Sequence, residues 1–190
     1  QSIGRPPLPP GELILQAASA IYGAVAEGRR RWYARSPARR RCLRRPVISV
    51  GNLSVGGSGK TPIVAHLARW LVAEGESPTI LSRGYGRRRV EPGVTVVSDG
   101  TAILGNLDSS GDEPLMLARM VPGARVLVGA NRYVSGRLGE EKLAASVHVL
   151  DDGFQHFELA RDVDLLVTSE DDLTDKPLPA GRLREPLAAA

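Results

Sequence analysis

Residues 47–62 read VISVGNLSVGGSGKTP, and the fold follows from what this stretch requires. The apolar run Val47–Val50 predicts a buried strand, and Ile63, Val64, Leu67, Ala68 and Leu71 behind it recur at helical spacing. A strand, a glycine-rich turn ending in Gly-Lys-Thr and a helix together make the setting of a phosphate-binding loop. The glycines let backbone N–H groups curl around phosphate oxygens, and the helix N-terminus favours anions. Lys60 can reach a β- or γ-phosphate, and the Thr61 hydroxyl can bind magnesium. The expected loop is Ser54, Val55, Gly56, Gly57, Ser58, Gly59, Lys60 and Thr61, with Ser54 standing where the usual pattern has its first glycine. Pro62 is tolerated because N–H groups of a first helical turn need no helical partner.

Working outward, short β-branched runs at Thr79–Leu81, Val94–Val97, Arg125–Val128, Val147–Leu150 and Val163–Val167 predict further strands. Pro114–Met120 and Arg132–Leu143 predict helices between them. This alternation predicts an α/β fold built on a doubly wound, mostly parallel sheet. At 190 residues and 42% hydrophobic the chain suits one ordinary core. Residues 171–190, with three prolines, read as irregular.

On the N-terminal side, Leu13–Tyr33 predicts a helix with an apolar half and a basic end. Nine arginines and no acid lie between Arg29 and Arg45, so the rest of a chain of net charge +4 is acidic. Basicity so confined favours a local anionic partner such as phospholipid headgroups, and disfavours a nucleic-acid surface. Residues 1–45 are therefore expected to associate with a membrane, and 46–190 to form the nucleotide-binding part. The longest uncharged stretch, Leu13–Ala26, falls short of the roughly 18 residues a spanning helix needs. Its charge follows the apolar run, the reverse of a secretory signal. Cys42 is the single cysteine, which excludes an internal disulfide or a cysteine-built metal site.

Four more segments carry chemistry. SVHVLDDGFQH, residues 146–156, ends an apolar strand in Asp151 and Asp152, placing carboxylates where they can hold magnesium directly or through water; the alternative is a plain turn. In GDEP, residues 111–114, Asp112 can be a general base or can cap a helix. SRGYGR, residues 82–87, and LPAGRLREP, residues 178–186, carry arginines that either clamp phosphate or stand in solvent.

In this order, GNLSVGGSGKTP, SRGYGR, GDEP, LDDGFQH and LPAGRLREP resemble the tetraacyldisaccharide 4'-kinases, also called lipid A 4'-kinases, from about Ala17 to Pro186. The phosphate loop belongs to many NTPases; LDDGFQH and LPAGRLREP in line with it are specific. The resemblance implies transfer of the ATP γ-phosphate, with Mg2+, to the 4'-hydroxyl of a tetraacyldisaccharide 1-phosphate, a lipid A precursor. It places the protein peripherally on the cytoplasmic face of a bacterial inner membrane. By the same resemblance Lys60 and Thr61 take the phosphate-loop roles and Asp112 acts as general base. Thr61, Asp151, Asp152, Gln155 and Glu185 form the metal and nucleotide environment, and Tyr85, Arg132 and Arg184 line the lipid and phosphate site. Family members are longer, with a second lobe after LPAGRLREP holding a histidine that pairs with the aspartate. The chain reads as a fragment lacking that lobe, and His66, His148 and His156 are poorly placed to replace the histidine. The rival readings are a switch-type P-loop NTPase and a lipid-binding fragment without catalysis.

Overall fold

A computed structural model describes residues 9–56, 59–89 and 92–187. Its contacts divide the chain into two compact units, one gathering residues 1–35, 53–58 and 168–190, the other residues 36–52 and 59–167.

The second unit holds the sheet. Strands β1 (Val47–Asn52), β2 (Pro78–Ser82), β3 (Val94–Asp99), β4 (Arg125–Gly129), β5 (Val147–Asp151) and β6 (Val163–Val167) lie in the order β3-β4-β2-β5-β1-β6. All six runs expected from the sequence are strands. Every pairing is parallel except β3 with β4, which is antiparallel and shifts register between Val96 and Ser98. An antiparallel edge strand on a parallel sheet is common in large α/β sheets.

Helices α2 (Lys60–Ala73), α4 (Asp112–Met120) and α5 (Arg132–Lys142) cover the sheet, and a single turn, α3 (Leu107–Ser110), precedes α4. Alternation along the strands sends side chains to opposite faces. Val50, Ile80, Val126, Val128 and Val149 pack with Val64, Ala68 and Leu71 of α2 and Leu115 and Leu117 of α4. Val47, Leu81, Leu127 and Leu150 pack with Leu159 and, from α5, Tyr133 and Leu138. Helices on both faces make the sheet doubly wound. Leu43 joins the second cluster, and the backbone N–H groups of Arg44 and Arg45 donate to Glu140 Oε1 at 2.7 and 2.9 Å, so the later part of the basic stretch is bound to α5.

In the first unit, α1 (Pro10–Ala34) is the expected basic-ended helix. Its packed face is made of small residues: Ser19 Oγ donates to the Pro177 carbonyl at 2.5 Å, and Gly23 lies against Pro177 and Pro186. The large apolar side chains Leu13, Ile14, Ile21, Val25 and Trp32 are exposed. Among the described residues no helix is long and apolar enough to cross a membrane.

Candidate functional site

The carboxyl ends of β1, β2, β4 and β5 bring together most of the polar residues singled out in the sequence. β1 runs into the phosphate-loop segment, of which Gly57 and Ser58 lie outside the described residues. At its end Gly51 is buried against Phe154; an added Cβ would sit 2.5 Å from Phe154 Cβ, so the loop after β5 packs directly on the β1 backbone. Gly59, with φ 72°, is the N-cap of α2, a left-handed position that glycine adopts without strain. Lys60 and Thr61 follow as the first two helical residues, and Pro62 falls in the first turn as expected.

Lys60 reaches across the end of the sheet. Its Nζ donates to Asn52 Oδ1 at 2.7 Å and lies 3.5 Å from Asp152 Oδ1. Asp152 adopts φ 54°, a conformation aspartate tolerates better than most residues. Gln155 donates from Nε2 to the Asn52 carbonyl at 3.2 Å, tying the DDGFQH loop to the end of β1.

Asp151, the last residue of β5, is buried and accepts a hydrogen bond from Ser82 Oγ at 3.2 Å. Burial, and then the neighbouring charges of Glu113 and Asp152, push its carboxyl up to about 6, while Ser82 and Lys60 pull the other way. Among the described residues no group of three or more His, Cys, Asp or Glu side chains is placed to hold a metal ion by itself.

Asp112 is the first residue of α4 and is exposed; the N-cap is Gly111, and no side chain caps the helix. The capping alternative therefore has no hydrogen bond behind it, leaving only the favourable interaction of an acid with a helix N-terminus. Arg132 opens α5 and is 5% exposed, its Nη1 donating to the carbonyls of Gly129 at 3.3 Å and Ala130 at 3.5 Å. Tyr85 stands almost fully exposed on the loop after β2. His66 is on the surface of α2 and His148 is buried in β5, 3.4 Å from Glu140 Oε1.

In the first unit, Ser54, Val55 and Gly56 run beside the LPAGRLREP segment. Val55 N donates to the Arg182 carbonyl at 2.8 Å, Arg184 N donates to the Leu53 carbonyl at 2.6 Å, and Ser54 bridges Leu183 in antiparallel fashion. Ser54 also hydrogen-bonds buried Asp172, whose carboxyl is held below its ordinary value by the backbone of Ser169 and then by Ser54 and Ser169 side-chain bonds. A glycine there could not supply that hydroxyl, which accounts for the serine. Glu185 is buried in this unit and Arg184 is partly exposed.

Four contributors were not singled out in the sequence. Asn52 holds Lys60, Ser82 holds Asp151, Glu113 raises the Asp151 carboxyl, and Asp172 anchors Ser54. Ser82 and Glu113 sit inside quoted motifs, where their position was a signal. Asn52 is the last residue of β1 and lies inside the quoted GNLSVGGSGKTP, whereas Asp172 carries no motif.

A doubly wound, mostly parallel sheet whose first strand leads through a glycine-rich turn into a lysine-headed helix, with acids ending an adjacent strand, defines a P-loop NTPase-like protein. The profile of the tetraacyldisaccharide-1-P 4'-kinase family, LpxK, matches residues 12–190, and the chain belongs to that family. It is 45% identical to the tetraacyldisaccharide 4'-kinase of Pelobacter propionicus, covering 93% of this chain and 49% of that protein. With that of Geobacter sulfurreducens it shares 46%, covering 93% and 50%. The crystal structure of LpxK from Aquifex aeolicus in complex with ATP superposes with a TM-score of 0.85 at 42% identity, over 92% of this chain and 54% of that one. The chain spans about half the length of the curated relatives it matches.

Proposed function

We propose that this chain is the nucleotide-binding part of an ATP-dependent kinase that phosphorylates the 4'-hydroxyl of a tetraacyldisaccharide 1-phosphate, in lipid A biosynthesis. The observation that carries the reading is Lys60 poised between Asn52 and Asp152 at the head of α2, in a chain of this family. A bound ATP would replace these partners of Lys60 with phosphate oxygens. Magnesium is held by one or two carboxylates together with phosphate oxygens and water. Asp151 and Asp152 fit it, because their mutual repulsion is what a cation relieves; Thr61, Gln155 and Glu185 are the further members of the proposed set. When bound, the metal neutralises charge on the phosphates.

Asp112, exposed at the start of α4, is the residue proposed to take the hydroxyl proton or to activate the group that takes it. Tyr85, Arg132 and Arg184 are proposed to line the acceptor site. The test is transfer of labelled phosphate from ATP by the full-length protein. Transfer to tetraacyldisaccharide 1-phosphate, with little ATP consumed in its absence, is the expected result. Acceptor-independent hydrolysis stimulated by a protein partner would favour a switch NTPase instead.

The proposed place of work is the cytoplasmic face of the inner membrane, peripherally bound through α1. Ile14, Ile21 and Val25 are exposed at 71, 67 and 67%, at spacings of seven and four that put them on one helix face, and the arginine run follows them. Burying one such side chain stabilises by about 1.5–3 kcal/mol, and each surface arginine adds about 1 kcal/mol near anionic lipid. Replacing all three by aspartate should lower co-sedimentation with anionic phospholipid vesicles more than about tenfold, given those burial energies. The melting temperature should hold, since none of the three is packed. Unchanged sedimentation would remove α1 as the docking element.

A further inference from the structure

Three guanidinium groups converge at the same edge of the sheet. Arg83 and Arg87 lie on the loop after β2, and Arg132 opens α5 just after β4; β2 and β4 are neighbours, and β5, which ends in Asp151, borders β2 on its other side. The loop after β2 is tied to that acid, since Ser82 Oγ donates to Asp151 and accepts from Gly84 N at 3.4 Å. The Gly111 turn closes over it, close enough that an added Cβ would lie 2.9 Å from the Tyr85 carbonyl and 3.5 Å from Arg87 Cγ.

These arginines are held without the partners that would satisfy them. Arg132 is 5% exposed, and its Nε is buried with no hydrogen-bond partner among the described residues. Arg87 is half-buried and donates from Nε to the Gly84 carbonyl at 3.1 Å, while its Nη1 is buried and likewise unpartnered. Arg83 is exposed and lies within electrostatic reach of Arg132. Burial above all, then the charges of Arg83 and Arg87, push Arg132 down to about 10, against the opposing pull of Asp151 and Asp152. A buried donor left unmade is costly, and like charges packed together add to the cost. Backbone carbonyls satisfy only part of this set, and no described carboxylate is hydrogen-bonded to any of the three.

We propose that Arg83 and Arg87, joined by Arg132 where it borders the acceptor site, form a phosphate-binding site that receives the terminal phosphate of the nucleotide bound at Lys60. The planar guanidinium fork suits phosphate oxygens, which accept several N–H bonds at once. Two phosphates are available to such a site, that of the nucleotide and the 1-phosphate of the acceptor. Position favours the first: Asp151 and Asp152 are within electrostatic reach of Arg132, and Asp152 is the acid 3.5 Å from Lys60. The acceptor's 1-phosphate lies a disaccharide away from its reacting 4'-hydroxyl. The inference rests on the nucleotide-binding reading above and adds Arg83 and Arg87 to its machinery.

The experiment is calorimetric titration of Mg-ATP and Mg-ADP into the chain, for wild type, Arg83→Ala, Arg87→Lys and Lys60→Ala, with melting curves as a folding control. Arg83 is exposed, so its removal leaves the fold intact even if Arg87→Lys does not. A charge-assisted hydrogen bond of this kind corresponds to about ten- to a hundredfold in affinity. Arg83→Ala and Arg87→Lys should therefore weaken ATP by about tenfold or more and leave ADP nearly unchanged. Equal weakening of both nucleotides, or of neither, overturns the site. If ATP binding is unmoved and the variants of the full-length protein instead lose affinity for tetraacyldisaccharide 1-phosphate in detergent micelles, the cluster serves the acceptor's phosphate and the assignment to the nucleotide falls. Lys60→Ala should weaken both nucleotides; no effect of that variant on either would defeat the nucleotide-binding reading itself, a result distinct from failure of the arginine site alone.

Discussion

Asp112→Asn in the full-length protein should lower phosphate transfer by about 10²–10⁴-fold, the range general-base catalysis commonly supplies. ATP affinity and melting temperature should scarcely move. Asp112 is exposed, makes no capping bond and follows a Gly111 N-cap, so the amide forfeits only the attraction of a charge for the helix N-terminus. That attraction is about 0.3–1 kcal/mol at an exposed site. The barrier increase behind a 10²–10⁴-fold loss is about 3–5 kcal/mol, well above it. The two roles thus separate by measurement: steady-state kinetics reports the proton-transfer role, and thermal unfolding reports the helix. Full-length protein is required because the chain covers about half of its relatives. Turnover within about threefold of wild type, far below the general-base range, would leave Asp112 with an electrostatic part in α4 and nothing more.

Much of this arrangement was legible in the residues because it is local. The run Val47–Val50, the glycine turn and the apolar positions of α2 set the strand, loop and helix by periodicity, and the helix begins at Lys60 as the motif requires. The six strands were visible as β-branched runs for the same reason. Strand direction was not: nothing in Val94–Val97 says that β3 pairs antiparallel with β4, since the direction of an edge strand is not written in its own residues. Pairings through space were equally hidden. Lys60 with Asn52 spans eight residues, Ser82 with Asp151 spans 69, and each is an ordinary polar residue until the sheet places the strand ends together. The helix near residue 112 was foreseen, but whether Asp112 caps it turned on a single residue of register, which Gly111 takes. The apolar half of α1 was expected to meet a membrane; its small residues instead pack against Pro177 and Pro186, and its large ones remain exposed.

Asp151→Asn should stabilise the nucleotide-free protein at pH 8 and leave it unchanged near pH 4. Burial, Glu113 and Asp152 hold the carboxyl at about 6 against an ordinary 3.8, so the folded state binds this proton more tightly than the unfolded chain does. The associated stability is present below pH 3.8 and is lost as the pH rises through 6, because ionisation then proceeds against burial and two like charges. The asparagine stays neutral, keeps an oxygen for Ser82 Oγ and avoids that loss. Moving from 3.8 to about 6 corresponds to at most about 3 kcal/mol at pH 8. For a chain of this length that is an upward shift in melting temperature of about 5–12 °C. At pH 4 both side chains are largely neutral and the difference vanishes. Thermal unfolding of both proteins across this range decides the matter: an equal shift at the two pH values, or a loss of stability at pH 8, would show that Asp151 is not ionised against its surroundings. The same cost explains why a cation should be drawn here. An acid kept charged at neutral pH only by spending folding stability regains it when positive charge arrives, so magnesium with nucleotide should raise the melting temperature of wild type more than that of Asp151→Asn.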